Sequence, residues 1–186
     1  MKKAAIAIIA LSCLSIYGCG STDKNKEDAE NISKSTKENG PMEAESPLER
    51  KYSSKIDGHT YEITINRYPN HNLPTVKDQL DQVFYDNSVK LVVKKDGVSF
   101  LIKDFSKEAF IDYLNDNDKK STILLGMAFD EDKSNASKIC IAAQLGQPGS
   151  SEGPAYTIEI STTDGSCSII KDLQQDTNAE KYNEGD

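Results

Sequence analysis

The sequence predicts a mainly β domain: an antiparallel β-sandwich or meander barrel of about seven strands, with one α-helix between the third and fourth strands. Three observations predict it. Short runs alternating apolar and polar residues recur from Thr60 to Lys171. Two Asp-Gly pairs, Asp96-Gly97 and Asp164-Gly165, sit between such runs. Only one stretch carries apolar residues at firm helical spacing. Period-two alternation marks a half-buried strand. Asp-Gly suits a type I′ hairpin turn, where both central residues take positive φ. Short strands joined by tight turns indicate a sandwich or a barrel.

The elements follow in chain order. In "HTYEITINR", Tyr61, Ile63 and Ile65 share one face and Thr60, Glu62, Thr64 and Asn66 the other. "KDQLDQVFYDN" is ambiguous: Leu80, Val83 and Phe84 suit either a helical turn or the lead into a strand. "SVKLVVKKDGVSFLIKDF" is the clearest hairpin. A two-residue turn at Asp96-Gly97 sets Val93 opposite Phe100 and Leu91 opposite Ile102, which places Val89, Leu91, Val93, Phe100 and Ile102 on one apolar face. "DFSKEAFIDYL" predicts the helix, capped by Asp104 or Ser106 with Glu108 in its first turn. "NDND" (115–118) predicts its stop. "STILLGMAFD" is apolar on both faces and predicts a central strand covered on each side. "SKICIAAQL" points Ile139, Ile141, Ala143 and Leu145 inward. "AYTIEISTTDGSCSIIKD" predicts a second hairpin, with Tyr156, Ile158, Ile160 and Ile169 inside.

The first residues carry an address. Lys2 and Lys3 precede an aliphatic run, Ala4–Ile16, that is too short for the ~20 residues of a spanning helix. It ends in Ile16-Tyr17-Gly18-Cys19, which is similar to the lipobox of bacterial lipoproteins. The alternative is plain secretion with an incidental cysteine. The reading favoured is a signal peptide over 1–18 and an acylated Cys19, whose two or three chains anchor stably. Gly20 after the cysteine, rather than Asp, favours an outer-membrane lipoprotein, on the periplasmic face or the cell surface. Residues 19–55 hold the lipidated cysteine and a charged tether. Fifteen of residues 20–55 are charged, too many to bury surface that would offset chain entropy. A single β-rich domain is expected over 56–173 and a disordered acidic tail over 174–186.

Charge and composition limit the function. The chain carries a formal net charge of −8, a field that repels nucleic acid, so no nucleic-acid partner is expected. There is no tryptophan, and flat aromatic platforms for sugars are scarce. His59 and His71 are the two histidines. No Gly-x-Ser-x-Gly turn accompanies them, and neither His-x-x-x-His nor Cys-x-x-Cys occurs. "DEDKSNASKICI" matches a calcium loop at Asp130, Asp132 and Ser134. It fails at the two decisive places, with Asn135 for the glycine and Ile141 for the bidentate glutamate. No catalytic residue, metal or cofactor is therefore expected. Inside the domain, Cys140 and Cys167 have opposed strand parity, which argues against a disulfide even in an oxidising compartment.

The stretches "YEITINRYP", "FYDNSV" (84–89), "DFSKEAF" (104–110) and "DGSCSIIKD" together resemble a domain-of-unknown-function family (the 4738 type) of lipoproteins from gut-dwelling Gram-negative anaerobes. The resemblance covers residues 59–172. It implies an exported all-β domain with one helix, and it implies no activity. The expected function is a lipid-anchored envelope protein whose β domain is a non-enzymatic binding module for a protein, peptide or glycan. Its only membrane contact would be the lipid on Cys19. The expected binding surface joins Tyr85, Asp86 and Asn87 to Gln147, Ser150 and Glu152 in the long "GQPGSSEGPA" loop, since exposed loops commonly carry recognition. Two other readings stand beside it: an accessory hydrolase acting on envelope or dietary glycans, and a structural or assembly subunit of an envelope complex.

Overall fold

The computed structural model describes residues 40–172. The expected signal peptide, Cys19, the first part of the tether and the tail over 174–186 lie outside the described residues.

The described chain is mainly β, with eleven strands. In order they are β1 (Met42–Glu43), β2 (Leu48–Ile56), β3 (His59–Pro69), β4 (Val76–Lys77), β5 (Val83–Tyr85), β6 (Asn87–Lys95) and β7 (Val98–Phe105). A 3-10 helix (Lys107–Tyr113) and helix α1 (Asp116–Ser121) follow. Then come β8 (Ile123–Asn135), β9 (Lys138–Gly146), β10 (Ala155–Ser161) and β11 (Cys167–Lys171). The strands form two four-stranded sheets, β2-β3-β6-β7 and β11-β10-β9-β8, and a three-stranded sheet, β1-β5-β4. None closes into a barrel. Every pairing is antiparallel except β1 with β5. One hydrophobic cluster draws on both four-stranded sheets, with Ile63, Ile65, Leu91 and Val93 from one and Ile139, Ile141, Ile158 and Ile160 from the other.

The expected seven strands are β3, β6, β7, β8, β9, β10 and β11. Two of the additions correct the domain boundary, because β1 and β2 lie inside the segment expected to be tether. In β2, Arg50, Tyr52 and Ser54 pair with the buried Ile65, Ile63 and Tyr61 of β3, Leu48 and Ile56 share their face, and Glu49, Lys51, Ser53 and Lys55 take the other. The charge that suggests a linker thus belongs to an amphipathic edge strand. Asp57 and Gly58, at φ 49° and 80°, turn β2 into β3. β4 and β5 are the other additions, and β5 resolves the ambiguous "KDQLDQVFYDN" as a lead-in strand.

The predicted single α-helix is corrected to two short pieces. Lys107–Tyr113 is a 3-10 helix, and Ser106 caps it without a side-chain hydrogen bond. It still plugs the core, since Phe110 is fully buried and packs on Tyr156 at a ring separation of 5.1 Å. "NDND" starts a helix rather than stopping one. Asn115 Oδ1 accepts from the N–H groups of Asn117 and Asp118 at 3.0 and 2.9 Å, a side-chain N-cap for α1.

The first hairpin turns where expected, with Asp96 and Gly97 at φ 51° and 80°. A bulge at Phe100 then shifts its register, so Val93 faces Leu101, Leu91 faces Lys103 and Val89 faces Phe105. Phe105 is buried in place of Ile102, which is 59% exposed. In the second hairpin only Gly165 takes positive φ, and Cys167 faces Ile160. β8 is corrected from a central to an edge strand. It is apolar on both faces because Leu124 and Met127 join the main core, and Ile123 and Leu125 form a second cluster with Val76.

Candidate functional site: a groove along the edge of β8

Two structural features bear on function: a buried polar knot and an open groove. The knot takes two of the expected binding residues out of contact with solvent. Asp86 and Asn87 are buried. Asp86 Oδ1 accepts the backbone N–H groups of Asn87 at 2.7 Å and Leu124 at 3.0 Å. Asn87 Nδ2 donates to the carbonyl of Leu124 at 2.9 Å, and its buried Oδ1 has no hydrogen-bond partner. Lys107 Nζ donates to the carbonyls of Lys119 and Thr122 at 3.0 and 2.8 Å, and lies 3.9 Å from Asp86 Oδ2. Burial raises the Asp86 carboxyl above its ordinary range, against the pull of the Leu124 N–H and of Lys107. Burial also lowers the Lys107 ammonium. These groups join the start of β6 to the start of β8. The expectation of an exposed polar pair at 86–87 is therefore corrected.

Tyr85 is half-buried and stacks on His71, with ring centroids 4.1 Å apart. His71 Nε2 is 3.4 Å from Glu43 Oε1. His59 Nδ1 meets Asp96 Oδ2 at 2.6 Å on the surface, which holds the Asp96 carboxyl below its usual range.

The groove has a volume of ≈ 940 Å³. One wall is the inner face of β2 and β3, where Leu48 pairs with Arg67 and Arg50 with Ile65. The strand stretch Leu125–Ala128 lines it, together with Ala142, Ala143 and Ala155 of the neighbouring strands. Small side chains on the floor leave the space open. Four consecutive β8 residues border it, so the open edge of that strand runs along it. The bulge at Leu125 turns a carbonyl toward Arg67, whose Nη1 donates to it at 2.6 Å. Arg67 Nη2 donates to the Ser46 carbonyl at 2.9 Å, and Glu45 completes its ion pair. At the far end Asp172 pairs with Lys133 at 3.1 Å. Arg50 is exposed, and its side chain has neither hydrogen bond nor ion pair among the described residues.

The loop after β9 forms the remaining wall, through Gly149, Ser150 and Ser151. It is pinned on both sides. Leu145 N–H donates to the Pro154 carbonyl at 3.0 Å, and Gln144 Nε2 to the Ser151 carbonyl at 2.8 Å. Gly153 has φ 153°, and a Cβ there would lie 2.0 Å from the Leu145 carbonyl oxygen. Of the six expected surface residues, Ser150 lines the groove. Gln147 and Glu152 belong to the same loop without lining it, and Tyr85 is not in the groove. The expected surface is thus not one patch. Leu48, Arg50 and Arg67 were not legible as site residues. The Asp57-Gly58 pair was the available signal, because a hairpin turn there requires a strand before it.

Cys140 is buried on the face opposite to Ile139 and Ile141, where its Sγ donates to the Lys133 carbonyl at 3.3 Å. Cys167 lies on the inner face, two strands away. Burial pushes both thiols up, away from the reactive thiolate. Among the described residues no helix is long and apolar enough to cross a membrane.

Comparison with known proteins agrees with the family resemblance. No curated protein matches the chain. The stretches 84–89 and 104–110, which carry the resemblance most specifically, meet in the Asp86–Lys107 knot. The model of the family described as "Domain of unknown function (DUF4738)" matches residues 27–169, most of the chain, and the protein belongs to that family.

Proposed function

We propose that this protein is an outer-membrane lipoprotein, anchored through acylated Cys19, whose domain is a non-enzymatic binding module built as a β-sandwich. The shared core of the two four-stranded sheets supports the sandwich. The observation that carries the binding reading is the groove along β8. It combines an apolar floor with a few polar groups at its rim, the usual make-up of a recognition site. Its acidic residues Glu45 and Asp172 are taken up by Arg67 and Lys133. The buried acid–base pair, Asp86 with Lys107, lies in the knot and holds backbone groups.

Two measurements test this. Cys19→Ala releases the protein from the membrane fraction, and retention there overturns the lipoprotein anchor. Protease treatment of intact and lysed cells then assigns the face of the membrane. A photo-crosslinking residue at Ser150 captures a discrete envelope partner in cells, and Ala142→Trp, which fills the groove floor, abolishes the capture. Capture that survives the tryptophan, or none at all, overturns the groove as the binding site.

A further inference from the structure

Resting on that reading, we infer that the groove takes an extended peptide segment with small or aliphatic side chains and one carboxylate set against Arg50. Three features point to this occupant. First, β8 is an edge strand, bonded to β9 on one side only. Such an edge offers unpaired backbone donors and acceptors to an added strand. Arg67 occupies it at the Leu125 carbonyl, and the groove continues past it along Gly126, Met127 and Ala128.

Second, the floor suits a peptide that lies flat. Gly126 and Ala128 present almost no side chain along this edge, so a backbone can come close, and only small or aliphatic groups fit beside them. Leu48, 40% exposed on the opposite wall, supplies an apolar contact. None of the lining residues is aromatic, so a sugar ring has no platform there.

Third, the charges leave one vacancy for an anion. The lining charges are Glu45, Arg50, Arg67 and Asp172. Glu45 forms an ion pair with Arg67, and Asp172 meets Lys133. Among the described residues the groove therefore presents one unmatched cation, Arg50, within a protein of formal net charge −8. A guanidinium matches a carboxylate with two parallel hydrogen bonds, and this fixes the position of the acidic residue along the groove.

The test screens the full chain, held in nanodiscs, against bead-bound random heptapeptides with amidated C-termini. Enriched beads should carry Asp or Glu among Ala, Val, Gly and Ser. Arg50→Gln should weaken a recovered acidic peptide about tenfold, a typical loss for a charged hydrogen bond, and leave its Asn or Gln counterpart unchanged. The Arg50 side chain is exposed and has no partner among the described residues, so its replacement spares the fold. Ala142→Trp should abolish both. Enrichment without acid preference, or acid preference that survives Arg50→Gln, overturns the inference. Hexanoate, followed through the Met127 methyl resonance, separates the two levels. If hexanoate binds and no peptide does, the peptide inference falls and the binding module stands. If neither binds, both fall.

Discussion

At Asp86 a carboxylate sits in a place that water barely reaches, and its work is structural. Its Oδ1 serves two backbone N–H groups, so Asp86→Ala strands the buried Leu124 N–H and leaves Lys107 without its counter-charge. We expect a loss of about 3 kcal/mol in denaturant unfolding, as for other broken buried pairs. Asp86→Asn keeps the acceptor oxygen and should cost about 1 kcal/mol. The pH dependence has a definite sign. The folded carboxyl titrates above its unfolded value, so its stabilisation is complete below the ordinary carboxylate range and is lost as pH rises through the folded pKa. The gap between wild type and Asp86→Asn should therefore narrow as pH rises above the ordinary carboxylate range. A gap that widens instead would show that the ionised form is the one the fold prefers. Two glycines offer a backbone test. Gly153→Ala places a Cβ against the Leu145 carbonyl and should cost well over 2 kcal/mol. Gly149→Ala has positive φ but open space, and should cost about 1 kcal/mol.

At the scale of elements, what the sequence revealed and what it hid have separate physical causes. Alternation in β3, β9 and β10 was legible because each has one face in the core, which makes its pattern a direct image of burial. The β6–β7 turn was legible because Asp96-Gly97 has few other uses. The faces of β7 were not, because one extra residue at Phe100 reverses every side chain beyond it and leaves no mark in composition. Ile102→Ser should then change stability by less than about 0.5 kcal/mol, whereas Phe105→Ala should cost about 3–5 kcal/mol. The reverse ranking would restore the unbulged register. The helix was legible as a plug, through Phe110, but not as 3-10 and α pieces. "NDND" has the same composition whether it ends one turn or caps the next. Asn115→Ala removes the α1 cap and should cost about 1 kcal/mol. The groove was least legible of all. Its cation comes from "LERKY", which has the composition of a linker, and its floor from alanines that pass for ordinary strand filler.

At the scale of the whole molecule, the question is whether β2 belongs to the domain or merely precedes it. Composition places it in the tether, and packing places it in the fold. It pairs with β3 from Leu48 to Ile56. Ser54 Oγ donates to Glu131 on β8 at 2.8 Å, and the Tyr52 ring meets Phe129 at 5.7 Å. β2 thus bridges the two four-stranded sheets by side chains, as the Asp86 knot does through the β8 backbone. Removing the strand would uncover Tyr61, Ile63 and Ile65, each nearly fully buried, and expose a new edge along β3. It would also delete Leu48 and Arg50 from the groove. A protein that begins at Ile56 should therefore unfold at a much lower temperature than one that begins at Gly40, or aggregate on expression, and should lose groove binding entirely. Equal melting temperatures for the two would return β2 to the tether. They would also remove the wall on which the binding reading depends, so this one comparison tests the domain boundary and the site together.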